Sequence, residues 1–262
     1  MAAPLLFSIG LLGLLIGSFL NVVIHRLPRQ LSVVSPPSSC PACGHRIRPW
    51  ENIPVLSYLF LRGKCAGCAS GISWRYPAVE LFTAGMSAFT ALQLGWTWAL
   101  LPGLLLTWAL IALTFIDLDT QLLPDAITKP GIVLGIIVNS GAYLLGHPLF
   151  ASPLESILGA IIGYGVLWLL AMAYLKFSGQ HGMGFGDLKL LGMLGAWLGW
   201  TAVPMILFIA ALLGGLIGIA LLLAGRGRHH AIPFGPYLAL GGWLMLLWPK
   251  EIIQGYFSLL GG

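Results

Sequence analysis

The chain has 262 residues, of which 58% are hydrophobic and only 8% charged. Soluble domains carry about 25% charged residues, so a water-soluble globule is excluded, and the apolar content equally excludes a disordered chain. The composition is that of an all-α polytopic integral membrane protein, and the net charge of +5 becomes a question of where the basic residues fall.

A bilayer core takes about 20 mostly apolar residues per helix, and the first such run is Pro4–Ile24. Its start is uncharged and it leads into His25 and Arg26, which argues against a cleaved signal peptide. Residues 25–76 are the one extended polar stretch and the sole candidate subdomain. Further spans are predicted at 77–94, 98–116, 130–146, 156–175, 188–198, 204–224 and 232–248, giving about eight transmembrane helices. The chain thus divides into a first transmembrane helix (1–24), a loop domain (25–76) and a helical bundle (77–262). No tandem repeat or low-complexity tract interrupts it.

Orientation follows from counting Lys and Arg in short loops. With both termini outside, the basic residues from Arg26 to Arg75, together with Lys129, Lys176, Lys189, Arg226 and Arg228, face the cytoplasm, and only Lys250 lies opposite. Trp96, Trp98, Trp200 and Trp248 then fall at the outer ends, as an interfacial aromatic belt requires. The basic charge therefore reports topology, and no basic stretch has the interleaved aromatics of a nucleic-acid surface.

All four cysteines lie in the loop domain, as Cys40-Pro-Ala-Cys43 and Cys65-Ala-Gly-Cys68. Short C-x-x-C turns let two thiolates reach one ion, and two such turns complete a tetrahedron. Gly44 and Gly67 are expected to supply turn freedom at the two knuckles. The alternatives are two disulfides or four reduced thiols, and a cytosolic location disfavours the disulfides. Four thiolates leave no open position for water, so the predicted zinc is structural, a staple for a domain too small for a large core. His25 and His45 are competing ligands on paper but read more simply as ordinary loop histidines.

The whole chain has four aspartates. Asp117, Asp119 and Asp125 lie in one segment, F-I-D-L-D-T-Q-L-L-P-D, and Asp187 closes G-M-G-F-G-D. Carboxylates at membrane depth cost about 2.5–3.5 kcal/mol on insertion scales and mark functional sites by default. Asp117 directly continues an apolar run, whereas Asp119 lies about 200° further round a helix, so Asp117 is expected to face the interior. Pro124 disfavours helix at Leu123, which leaves Asp125 as an N-cap for the next helix. The glycines at 182, 184 and 186 predict irregular backbone around Asp187. Asp117 and Asp187, at one membrane face, form a candidate dyad. Two close carboxylates cannot both ionise easily, so such a pair shares one proton and titrates as a unit, which is the chemistry of an aspartic protease. A helix-packing pair or an ion-relay site is the competing account of the same two residues.

Six stretches taken together resemble a known family. They are Gly17-Ser-Phe-Leu-Asn-Val-Val-Ile-His-Arg-Leu-Pro28, the double Cys-x-x-Cys loop with Arg48-Pro-Trp-Glu-Asn-Ile-Pro54, Arg75-Tyr-Pro-Ala-Val-Glu80, Asp117–Asp125, Gly184–Asp187 and Pro233-Phe-Gly-Pro-Tyr237. In this order they resemble bacterial prepilin peptidases, or type IV leader peptidases, the GxGD-type aspartic proteases. The resemblance implies that Asp117 and Asp187 are the catalytic pair. It implies as substrates type IV prepilins and the pseudopilins of type II secretion, cut at the cytoplasmic face of the bacterial inner membrane. It also implies methylation of the new N-terminus with S-adenosylmethionine, for which Gly63, Lys64 and Glu80 are the candidate cofactor residues; Glu80 near a helix start reads equally as a favourable dipole contact. No Rossmann methyltransferase domain is visible.

The runner-up is a proton-coupled transporter, disfavoured because both acidic groups lie at one face and no inverted repeat is seen. A zinc-anchored scaffold would not need the aspartates, and a metalloprotease lacks its H-E-x-x-H.

Overall fold

A computed structural model of the chain describes residues 3–179, 184–224 and 233–259. Gly182 and Met183 of the glycine-rich segment, the basic pair Arg226 and Arg228, and Ile232 at the start of the last predicted span lie outside the described residues. Among the described residues the regular structure is helical, with two isolated bridges and no strands. The chain falls into two compact units, 1–112 and 113–262.

The first unit holds α1 (Ala3–Arg26), the short α2 (Leu56–Phe60), α3 (Arg75–Leu94) and the first part of α4 (Leu100–Thr120), together with the cysteine loop. α1 packs on α3 through two glycines four residues apart. A Cβ on Gly13 would lie 2.7 Å from Ala84 Cα, and one on Gly17 would lie 2.7 Å from Glu80 Cα. Small residues at this spacing let two backbones approach where lipid provides no hydrophobic drive between helices. The contact between α3 and α4 is polar instead. Thr90 and Thr107 share a hydrogen bond of 3.2 Å, and Trp108 Nε1 donates to Ser87 Oγ at 2.9 Å, so buried hydroxyls are satisfied across the helix pair.

The second unit holds the end of α4, then α5 (Asp125–Leu144), α6 (Pro153–Ser178), α7 (Phe185–Leu198), α8 (Ala202–Leu223), α9 (Gly235–Leu247) and α10 (Pro249–Leu259). α6 starts with a capping box. Glu155 N–H donates to Ser152 Oγ, while Glu155 Oε2 accepts from Ser152 N–H at 2.8 Å, and Pro153 occupies the first turn. Its other end closes on Gly179, whose φ of +68° is the left-handed cap that glycine adopts without strain.

α7 is the centre of this unit. Every residue from Asp187 to Leu198 except Lys189 is buried, and α7 packs against α5, α6, α8 and α9. A helix apolar on all sides belongs in such a position. Gly159 and Gly163 of α6 lie backbone to backbone against Gly195 and Leu191 of α7, repeating the spacing seen in α1. A buried polar knot ties the far end: Asn139 Nδ2 donates to the carbonyls of Ala196 and Trp197 at 3.2 and 2.9 Å, and Ser156 Oγ donates to that of Ala196.

Each predicted span coincides with a helix, with changed limits. Among the described residues five helices, α1, α4, α5, α6 and α8, are long and apolar enough to cross a membrane, which makes the chain a multi-pass membrane protein. α7 and α9, with 14 and 13 residues, fall short of the length a lipid-facing helix needs. Two expectations are corrected. The span placed at 130–146 belongs to a helix that already begins at Asp125, with Pro130 inside it. The backbone at Asp187 is regular, since α7 starts at Phe185 on Gly184 as N-cap; a glycine costs little in a first turn whose N–H groups have no helical partners in any case. And α10, a helix after the last span, was not foreseen.

Candidate functional site

The cysteine loop folds as two knuckles of the same design. Gly44 N–H donates to Cys40 O and Cys40 N–H to His45 O, both at 2.9 Å; Ala69 N–H donates to Cys65 O at 2.9 Å and Cys65 N–H to Ser70 O at 2.8 Å. The left-handed residue that follows each pair is Gly44 (φ +72°) in one and Ala69 (φ +56°) in the other. Turn freedom was expected at Gly67 and is not what that residue provides: a Cβ there would lie 3.0 Å from the His45 side chain, so Gly67 makes room for the imidazole of the other knuckle.

Cys40 and Cys68 Sγ stand 3.9 Å apart, Cys43 and Cys65 Sγ 4.0 Å, and all four sulfurs lie within 4.8 Å of one another. A tetrahedral thiolate site with metal–sulfur bonds of about 2.3 Å has edges of about 3.8 Å, so the donor set fits. A hydrogen bond with the Ser70 hydroxyl, then the Cys43 and Ala42 N–H groups, pulls the Cys40 thiol down to about 6, while at Cys43 the pull of the His45 N–H is outweighed by the crowded neighbouring thiols, which push it up to about 12. Neither histidine joins the group. His45 Nε2 instead meets Glu51 Oε2 at 2.9 Å, and Glu51, which also accepts from Arg48 N–H at 3.0 Å, is held below the usual carboxylate range by that N–H first and His45 second.

Asp117 sits in the last turn of α4. The helix is stopped by Gln121, which takes φ +53° while its N–H closes on Asp117 O at 2.9 Å. Asp117 is 4% exposed and Asp119 faces outward, as their angular separation requires. A carboxylate at a helix C-terminus opposes the helix dipole. Here it is compensated by another helix: Gly235 N–H, the first residue of α9, donates to Asp117 Oδ2 at 3.0 Å.

Asp187, 8% exposed, lies in the first turn of α7, where a negative charge suits the dipole. Its N–H donates to Gly184 O at 3.2 Å. The two buried carboxyl groups are near enough to interact electrostatically. Leu123 stands against a glycine neighbouring each of them: a Cβ on Gly186 would come within 2.8 Å of Leu123 Cβ, and one on Gly235, whose N–H holds Asp117, within 3.3 Å of Leu123 Cδ1. The aspartate segment, the G-x-G-D turn and the Pro233–Tyr237 run therefore meet around one leucine.

Asp125 is not the N-cap expected of it. Pro124 holds that place, and Asp125, one residue on, pairs with Lys129 at 2.6 Å and with Lys189. Sequence reasoning missed Gly235 and Leu123. The run around Gly235 was visible as a motif, but nothing in one sequence tells that its N–H points at an aspartate 118 positions away.

Of the three residues singled out for a methyl donor, Glu80 is enclosed. It is 7% exposed and its Oε2 accepts from Val55 N–H at 2.7 Å, holding Val55 at φ +61°, a conformation a β-branched residue rarely adopts. Gly63, at φ +67°, lies against the Tyr58 phenol, and Lys64 is exposed.

Known proteins carry the same arrangement of segments. Residues 11–94 match the bacterial peptidase A24 N-terminal domain, and residues 104–219 match the type IV leader peptidase family. Proteins named prepilin leader peptidase/N-methyltransferase are similar over nearly the whole chain. The one from Aeromonas hydrophila is 47% identical across 95% of this chain and 92% of its own. That from Pseudomonas aeruginosa is 44% identical across 96% and 93%, and that from Neisseria gonorrhoeae 45% identical across 89% and 87%. The chain belongs to the type IV leader peptidase family. Both acidic motifs fall inside the segment matched by that family, and the cysteine knuckles inside the N-terminal one. No solved structure matches the chain significantly.

Proposed function

We propose that this protein cleaves the leader peptide of prepilins with Asp117 and Asp187 and then methylates the new N-terminus. The observation that carries the reading is the burial of two carboxyl groups, each at a helix end, with Gly186 beside Asp187 and Gly235 beside Asp117 both packed against Leu123. It is supported by relatives about 45% identical that bear both activities in their name. The transporter alternative has no comparable support.

The dyad holds one proton. The ionised carboxylate takes a proton from water as the water oxygen attacks the scissile carbonyl, and the protonated carboxyl gives its proton to the carbonyl oxygen. The resulting diol collapses as the protonated carboxyl gives its proton to the amide nitrogen, the other carboxylate takes a proton from a diol hydroxyl and the C–N bond breaks, which frees the leader's carboxylic acid and the pilin's amine and leaves one proton on the dyad, as at the start. Buried carboxyl groups away from bulk water are suited to this exchange.

Further parts of the proposal concern placement. Eight spans, with both termini periplasmic and the knuckles and aspartates on the cytoplasmic side of the inner membrane, satisfy the basic-residue bias. Such a topology lets a prepilin's apolar helix lie in the bilayer with its basic leader in the cytosol. Pseudopilins, with the same chemistry at the cut, are substrates too, and membrane lipid surrounds the bundle. Cys40, Cys43, Cys65 and Cys68 hold a structural zinc. The domain limits are those of the sequence, 1–24, 25–76 and 77–262. S-adenosylmethionine supplies an activated methyl group when bound. The exposed Lys64 ammonium would pair with its carboxylate beside Gly63, while Glu80 acts by fixing the loop through Val55.

The test is cleavage of a prepilin by purified protein in detergent. Wild type should cut, and folded Asp117→Asn and Asp187→Asn should not; normal cleavage by either variant would overturn the assignment.

A further inference from the structure

α9 begins with an unusual allotment of backbone donors. Of its first residues, Pro236 has no N–H, and those of Tyr237 and Leu238 turn back to Phe234 O at 3.1 and 3.2 Å. That leaves Gly235 N–H as the donor at this helix end, and it is spent on Asp117 Oδ2 at 3.0 Å. The absence of a side chain at Gly235 has no conformational cause, because its backbone is in a region open to any residue. Its cause is spatial: a Cβ would sit 2.6 Å from Asp117 Oδ2 and 3.1 Å from Asp117 Cγ. Glycine followed by proline thus supplies one N–H, removes a rival donor and clears the space the carboxylate fills.

We infer that Gly235 is a positioning residue for the peptidase reaction, whose N–H pins one oxygen of Asp117 and leaves the other free to face water and substrate. The inference rests on the peptidase reading above. It gives the Pro233–Tyr237 run a role that the dyad alone does not. The N–H also hydrogen-bonds the charged form of the carboxylate at the positive end of a helix dipole, so its loss alters how the dyad shares its proton and not only where Asp117 stands.

The experiment compares wild type, Gly235→Ala and Gly241→Ala in detergent with a prepilin substrate. Gly241 serves as the packing control, since its Cβ would meet Ile206 O of α8 at 3.0 Å in the same helix. Gly235→Ala should lower kcat by about 10- to 100-fold, the loss expected for one hydrogen bond to a charged group. KM should stay within about threefold, and the acid limb of the pH–rate profile should be displaced from that of wild type. Gly241→Ala should leave the profile in place. A folded Gly235→Ala with wild-type kcat, or an equal loss with an unmoved profile in both variants, would overturn the inference. Should Gly235→Ala not fold, wild-type protein labelled with ¹³C-carbonyl Phe and ¹⁵N-Gly answers the same question. Only Phe185-Gly186 and Phe234-Gly235 are Phe-Gly pairs in the chain, so two amide signals remain, and the one that persists in Phe185→Leu is that of Gly235. Its proton signal should move upfield in Asp117→Ala and would stay put if no hydrogen bond existed. Full cleavage by Asp117→Asn is a different failure, which sinks the peptidase reading itself and this inference with it.

Discussion

Lys189, two residues beyond Asp187, is ion-paired with Asp125, which closes the segment begun by Asp117. The second turn of α7 is thereby tied to the first turn of α5. Both partners are partly exposed, at 25% and 45%, and such pairs are worth about 0–1 kcal/mol. Asp125→Asn should therefore slow prepilin cleavage by less than about fivefold, and exchanging the two charges should restore part of the loss. Initial rates for the two single variants and the exchange decide it; abolition of cleavage by Asp125→Asn would make Asp125 a reacting group.

For the dyad the expectation is different in kind. Groups that act as a unit lose their effect together, so Asp117→Asn and Asp187→Asn should each reduce kcat by about 10³-fold or more, and the double variant should be hardly worse than either. Multiplying losses would mean two independent sites.

Metal analysis of the purified protein should find a single zinc ion, absent from Cys43→Ser. Stripping it with a strong chelator should open residues 25–76 to protease while leaving the helical circular dichroism nearly unchanged, because the knuckles are short-range structures with little core of their own. An unaltered digestion pattern would remove the case for a structural metal.

Gly159 and Gly195 meet backbone to backbone, so Gly159→Leu has nowhere to place its side chain without separating α6 from α7. Overpacking of this sort costs about 1–3 kcal/mol. The variant should unfold at a lower temperature in detergent and cleave more slowly, since α7 carries Asp187. Equal stability would mean that the two helices are not in contact.

Lys64→Ala should lose methyl transfer to a precleaved pilin peptide and keep leader cleavage, whereas Glu80→Gln, which keeps an acceptor for Val55 N–H, should affect both only slightly. Titrating S-adenosylhomocysteine into each variant, with binding heat as readout, separates loss of binding from loss of transfer.

What could be read in the sequence was whatever depends on neighbours in the chain or on solvent. The apolar runs gave the helices, the C-x-x-C spacing gave the thiol cluster, and the depth of Asp117 against Asp119 followed from helical rotation. What escaped depends on distant partners. Gly67 looked like a turn residue because glycine usually is one, yet the turn conformation falls on Ala69 and the glycine yields to His45. Three glycines before Asp187 suggested an irregular backbone, but packing against Leu123 is compatible with a helix that starts at Phe185 and overrides local preference. The role of Gly235 needed coordinates, since a backbone N–H leaves no mark of its own in a sequence.

α7 meets protein, not acyl chains, along nearly its entire surface. Its depth is consequently set by the helices that enclose it, and hydrophobic matching to the bilayer acts on α7 only through them. Asp187 rides on a shielded strut, so thinning or thickening of the surrounding lipid should tilt the outer helices before it moves the carboxylate.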